Sequence, residues 1–253
     1  MLGIYFSGTG NTEYCIKKFM SRYCPDAVVL PVNDKTTLSL LKEHKEIVFA
    51  YPVYYSNLPK IVRDFIIENS TLWHEKKVFV IATMGLFSGD GAGLSARLLR
   101  KYGADILGGL HLKMPDCICD VKALKRSERE NRKIVKAATE KIEKAAQQMK
   151  EGCPPREGIN IWYHIAGLFG QRLWFYNKTI AYSDKLHIDM NACSGCGTCA
   201  QLCPMKNISI VHNKAQANNK CTMCYRCISH CPQKAITLIG KKVIEQHRIE
   251  DYL

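Results

Sequence analysis

The chain has 253 residues, 47% of them hydrophobic, with 13 cysteines and a formal charge of +13. That length supports one well-buried domain and a small second one, and no uninterrupted apolar run reaches the roughly 18 residues a transmembrane helix needs. Met1 leads straight into a strand-like run, without a charged leader or an apolar signal core. With so many cysteines, this points to a reducing cytoplasm and metal ligation rather than to secretion.

Residues 2–6 (LGIYF) read as a short buried parallel strand. Ser7-Gly8-Thr9-Gly10-Asn11-Thr12 follows, then a helical pattern through Tyr14, Ile16, Phe19 and Met20. A strand, a Gly/hydroxyl loop and a helix N-terminus aim backbone N–H groups and the positive helix end at one point, an anion site. The loop lacks the Gly-Lys-Ser/Thr ending of a triphosphate-binding loop, and Glu13 stands where a dinucleotide fingerprint needs its third glycine. What remains suits a monophosphate dianion held by amides and hydroxyls, with an ordinary turn as the plain alternative.

Strand-like runs recur at 28–31, 47–51, 78–83 and 106–112, and helix-like segments at 38–43, 59–68, 91–102 and 127–149. This alternation predicts a parallel, doubly wound sheet. Two loops follow the third and fourth strands, 51–59 with Pro52, Tyr54 and Tyr55, and 83–91 with Thr83, Met84, Gly85, Phe87 and Gly89. Their aromatics and glycines suit a flat apolar ring; simple packing on the core is the alternative. Within 122–150, Ile134, Val135, Ala138, Ile142, Ala145, Ala146 and Met149 recur at helical spacing among Lys and Arg, the pattern of a solvated helix closing the sheet. Gly152, Pro154 and Pro155 then end the domain.

Residues 159–182 hold two of the three tryptophans, interrupted by His164, Gln171 and Arg172. A segment packed between two domains is expected there, with an amphipathic helix on a membrane surface as the alternative. Next comes C-x2-C-x2-C-x3-C-P twice: Cys193, Cys196, Cys199, Cys203-Pro204, then Cys221, Cys224, Cys227, Cys231-Pro232. Zinc sites leave no use for the repeated x3-C-P, and a disulfide scaffold needs an oxidising compartment. The spacing is that of the bacterial iron–sulfur run. Small residues fit the first loop (Ser194-Gly195, Gly197-Thr198), whereas the second departs with Thr222-Met223 and Tyr225-Arg226. Residues 208–210 and 235–238 are matching β segments of this internal repeat, and 242–253 reads as a partly helical extension. Cysteines 15, 24, 117, 119 and 153 lack a ligand set and read as small buried thiols.

The Ser-Gly-Thr-Gly-Asn-Thr loop resembles the FMN phosphate loop of flavodoxins, and the cysteine array resembles that of bacterial two-cluster ferredoxins. Together they resemble the bacterial and archaeal flavodoxin–ferredoxin fusions, over nearly the whole chain. The resemblance implies an α/β fold: a flavodoxin-like, doubly wound parallel five-stranded sheet of order 2-1-3-4-5 with its ligand at the switch point. A C-terminal α+β bacterial-type two-cluster ferredoxin domain follows. Residues 1–150 would form the FMN-binding domain, 151–183 an aromatic-rich linker, 184–241 the ferredoxin domain and 242–253 a tail.

By the same resemblance FMN contacts come from Ser7, Thr9, Gly10, Asn11, Thr12, Pro52, Tyr54, Tyr55, Thr83, Met84, Gly85, Phe87 and Gly89. In two-cluster ferredoxins the fourth cysteine of each run ligates the other cluster. One 4Fe–4S cluster is therefore implied on Cys193, Cys196, Cys199 and Cys231, and a second on Cys221, Cys224, Cys227 and Cys203. These cofactors bring the loaded chain to roughly +7, and with no reader motif a nucleic-acid partner is not expected. The expected function is electron flow from a low-potential donor such as ferredoxin, through both clusters, to FMN, which reduces a small-molecule or protein acceptor. The alternative is a carrier that docks partners and has no substrate chemistry of its own. A homodimer is compatible with either.

Overall fold

A computed structural model of the chain describes residues 1–86, 89–160, 163 and 185–253. Five strands form a parallel sheet of order β2-β1-β3-β4-β5: β1 (Leu2–Tyr5), β2 (Val28–Pro31), β3 (Glu46–Pro52), β4 (Lys77–Met84) and β5 (Asp105–Lys113). The central strands β1, β3 and β4 are buried nearly throughout because helices cover both faces, which is why they read as continuous apolar runs.

On one face α1 (Asn11–Tyr23) and α5 (Glu128–Lys150) bury Ile16, Phe19, Val135, Ile142 and Ala145, and Phe19 stacks on Phe79 with ring centroids 5.2 Å apart. A reciprocal capping box between Ser127 and Glu130 fixes the start of α5. It ends at Gly152, whose φ of 74° is the left-handed turn that favours glycine. On the other face α2 (Thr37–Glu43), α3 (Lys60–Glu68) and α4 (Gly91–Lys101) pack with Trp73, whose ring meets Phe49 edge-on at 5.7 Å. The sheet edge continues past the expected domain end at 150. Gly109 N donates to Pro155 O and Glu157 N to Gly109 O, so 155–157 runs alongside β5.

The C-terminal module contains two separate antiparallel ribbons, β6 (His187–Ile188) with β9 (Ile236–Thr237), and β7 (Ile208–Val211) with β8 (Lys214–Ala217). The two β segments seen in the repeat thus lie in different ribbons, each with a partner the repeat does not mark. Two short helices follow cysteine loops, α6 (Thr198–Leu202) and α7 (Arg226–Ser229). Residues 242–253 are more than an extension. Ile249 and Tyr252 are buried against α1 and α5, and Ile249 N donates to Thr9 O at 3.1 Å.

The two modules are joined by buried polar contacts at the C-terminal ends of the sheet strands. Asp120 is buried, accepts from Tyr225 Oη at 2.9 Å, and takes the amides of Leu238 and Ile239 at 2.7 and 2.9 Å. The expected aromatic interdomain segment falls almost entirely outside the described residues.

Candidate functional site

The loop after β1 and the first turn of α1 carry three buried hydroxyls, Ser7, Thr9 and Thr12. Gly10, with φ 90°, precedes the helix, and no side chain caps its N-terminus among the described residues. Thr12 Oγ1 is hydrogen-bonded to Thr83 Oγ1 at 2.7 Å, and Asn11 Nδ2 donates to Pro115 O at 2.8 Å. Those two side chains fix neighbouring loops. Ser7 Oγ, by contrast, is buried with no partner among the described residues. A buried hydroxyl is rarely left unpaired in a finished site, so an orphan at an anion-binding helix N-terminus fits a phosphate group.

Above this loop is a cavity of about 360 Å³, within the range of a site for one bound small molecule. Ser7, Thr9, Asn11 and Thr12 line it, with Pro52, Tyr54 and Tyr55 after β3, and Thr83, Met84 and Gly85 after β4. The Tyr54–Asn57 turn holds Tyr55 and Ser56 at φ 48° and 57°, the twin left-handed residues of a tight hairpin turn. Burial, the largest cause, keeps the Tyr54 hydroxyl well above its ordinary pKa, and Cys117 adds to the effect.

Two expected residues do not reach the lining. Gly10 faces Ile249, where a Cβ would come within 2.3 Å of the side chain, and Gly89 turns the backbone at φ 61° without lining the cavity. Phe87 lies outside the described residues.

Two walls escaped sequence reasoning. One is the segment after β5, Pro115 to Ile118. There Asp116 accepts from Ile118 N at 2.9 Å, and burial raises its carboxyl above the usual range. The other comes from the C-terminal module, as Met223, Tyr225 and Ile239. A signal for the second was present: Met223 and Tyr225 stand at positions where the first cysteine loop has glycines.

The eight repeated cysteines fall into two sets. One small cavity is lined by Cys193, Cys196, Cys199 and Cys231, and another by Cys203, Cys221, Cys224 and Cys227. Each set takes three thiols from one run and the fourth from the other. Backbone amides point at their sulfurs: Ala215 N at Cys193 (3.5 Å) and Ala235 N at Cys231 (3.4 Å), Asn207 N at Cys203 (3.2 Å) and Met223 N at Cys221 (3.3 Å). Such N–H···S contacts suit cluster thiolates. Burial pushes the Cys221 thiol up to about 12, so it needs a metal's charge to be a thiolate near neutrality. Among the described residues no three His, Cys, Asp or Glu side chains are arranged to hold a single metal ion. The thiols surround a space instead of converging on a point.

The two kinds of site touch. A Cβ on Gly8 would lie 2.1 Å from Cys224 O, so the hydroxyl loop and the second cysteine loop meet backbone to backbone. The set containing Cys224 is therefore the inner one, and the set containing the exposed Cys196 is the outer one.

Comparison with known proteins agrees with this division. A flavodoxin-domain family model matches residues 2–104, and a 4Fe-4S dicluster-domain model matches residues 180–236. No curated protein matches the chain. Among solved structures, it is similar to the two-electron reduced flavodoxin of Megasphaera elsdenii (22% identity, 58% of this chain and 99% of that one, TM-score 0.42). It is also similar to oxidised Flavodoxin 2 of Bacillus cereus (21%, 59% and 97%, 0.44) and to a Fusobacterium nucleatum flavodoxin bound to flavin mononucleotide (14%, 59% and 96%, 0.41). With a flavodoxin domain that implies FMN and a dicluster domain that implies two 4Fe–4S clusters, the chain is a flavodoxin–ferredoxin fusion, an iron–sulfur flavoprotein of electron transfer.

Proposed function

We propose that this chain takes electrons from a low-potential, ferredoxin-type protein at its outer cysteine set and passes them inward to the flavin pocket, where a small molecule is reduced. The observation that carries this order is the contact of Gly8 with Cys224 O, which puts the inner set against the pocket. When bound, the clusters exchange single electrons at low potential and FMN exchanges them in ones or twos.

The residues divide the work. Cys193, Cys196, Cys199 and Cys231 would hold the outer cluster, with Cys196 exposed where a partner protein can approach. Cys203, Cys221, Cys224 and Cys227 would hold the inner one, with Cys224 and Cys227 buried and Cys203 and Cys221 half-buried. Ser7, Thr9 and the amides of their loop would hold the FMN phosphate, while Tyr54, Tyr55, Met84 and Gly85 would flank its ring. Met223, Tyr225 and Ile239 wall the pocket from the other module, which favours a small acceptor over a docked protein.

An anaerobic rapid-mixing experiment with a reduced ferredoxin as donor tests the order. The holoprotein should bleach its cluster absorbance before its flavin absorbance. Cys196→Ser, which disables the outer set, should slow flavin reduction while FMN stays bound. Flavin reduction at the wild-type rate in Cys196→Ser would refute the order, and a wild-type protein that turns over no small-molecule acceptor would favour a pure carrier.

A further inference from the structure

The second cysteine loop departs from the first at Tyr225-Arg226, and Arg226 makes contacts that, among the described residues, no residue of the first loop makes. It begins α7, between Cys224 and Cys227. Its guanidinium donates from Nη2 to Ser7 O, from Nε to Gly8 O at 3.3 Å and from Nη1 to Leu202 O at 3.4 Å. Ser7 and Gly8 belong to the hydroxyl loop, and Leu202 immediately precedes Cys203 of the inner set. One cation is shared between the two sites.

The consequence follows from peptide chemistry. The carbonyl of Ser7 and the amide of Gly8 form one peptide unit, as do the carbonyl of Gly8 and the amide of Thr9. A carbonyl that accepts from a guanidinium is polarised, and its amide becomes a stronger donor. Arg226 thus strengthens two N–H groups of the loop that converges on the anion site. On its other side, a fixed positive charge beside Cys224 favours the added negative charge of a reduced cluster. A lysine supplies the charge but not the planar fork that reaches successive carbonyls.

We propose that Arg226 is a positioning residue that sets both the affinity of the FMN phosphate loop and the reduction potential of the inner cluster. This rests on the assignment of the Ser7–Thr12 loop to FMN and of Cys203, Cys221, Cys224 and Cys227 to that cluster. A purely structural tie would affect stability without separating the two clusters.

The test compares wild-type, Arg226→Gln and Arg226→Lys holoproteins. Iron and FMN content of the wild type checks the underlying assignment independently: a wild type lacking either cofactor sinks the assignment, whatever the variants do. Arg226→Gln should weaken FMN binding, measured by flavin fluorescence, on the order of tenfold, as expected for losing charge-assisted hydrogen bonds. EPR-monitored titration should show the inner cluster harder to reduce and the outer cluster unchanged. Arg226→Lys should recover most of the inner potential but only part of the FMN affinity. If Arg226→Gln fails to retain iron, the lysine variant decides alone, by near-normal potentials with weakened FMN. FMN affinity within about twofold of wild type in the variants that fold, or an inner potential in Arg226→Gln that moves no further than the outer one, overturns the proposal.

Discussion

The two cysteine loops share a backbone but not a purpose. In the first, Gly195 and Gly197 have φ of 71° and 80°, and Cys196 between them is exposed. In the second, the same two positions are Met223 and Tyr225, with φ of 61° and 58°, and Cys224 between them is buried. Left-handed backbone costs a residue with a Cβ roughly 1–2 kcal/mol. The first loop avoids that cost with glycine. The second accepts it twice, because Met223 and Tyr225 wall the candidate cavity and Tyr225 also binds Asp120. Strain tolerated in one copy of a repeat and absent from the other marks where the copies diverged in use.

The largest effect should separate the loops outright. Cys224→Ser should lose about half the iron, as the loss of one of two similar clusters requires, and should also release FMN, because the loop against Gly8 loosens. Cys196→Ser should lose a similar share of iron and keep its FMN. Metal analysis and flavin content after gel filtration read both; equal FMN loss in the two variants would break the distinction.

A smaller effect is expected at the clamp behind the second loop. Asp120→Ala strands the Tyr225 hydroxyl and two backbone amides, and should cost about 3 kcal/mol in anaerobic urea unfolding. The expected cost is well below this at Gly197, where a Cβ would meet nothing within 4 Å. Gly197→Ala should therefore lose only the backbone term, about 1–2 kcal/mol, without moving FMN affinity. Met223→Gly should change stability least, within about 1 kcal/mol, as relieved strain offsets lost packing and added chain entropy. It should still weaken FMN binding. A Met223→Gly chain that binds FMN as wild type does would mean that the side chain is not a working wall.

The alternation of strands and helices and the eight thiols were legible because each is a local pattern: an apolar run, a helical stripe, a fixed spacing; the strand order came only from the resemblance to flavodoxins. The hydroxyl loop was legible for the same reason, as a Gly/hydroxyl run between a strand and a helix start. What sequence reading missed is non-local. Pro115–Ile118 has no motif and lines the pocket only because β5 ends beside β4. Ile239 arrives there through Asp120, more than a hundred positions earlier in the chain. Gly10 entered the expected contacts through the resemblance to the flavodoxin loop, and the space beside its Cα is filled by Ile249. Nothing in the local sequence of either residue announces that pairing.

The Ile249 contact also has a meaning for how the molecule is made. The hydroxyl loop leaves the ribosome before the segment that seats on Gly10, which follows more than two hundred residues later. At translation rates of about 5–20 residues per second, that gap lasts on the order of ten seconds or more. During it the sheet can fold while its cavity still lacks Tyr225 and its hydroxyl loop still lacks the Ile249 contact. The nascent chain thus has a cavity open on the side that Tyr225 walls in the finished protein.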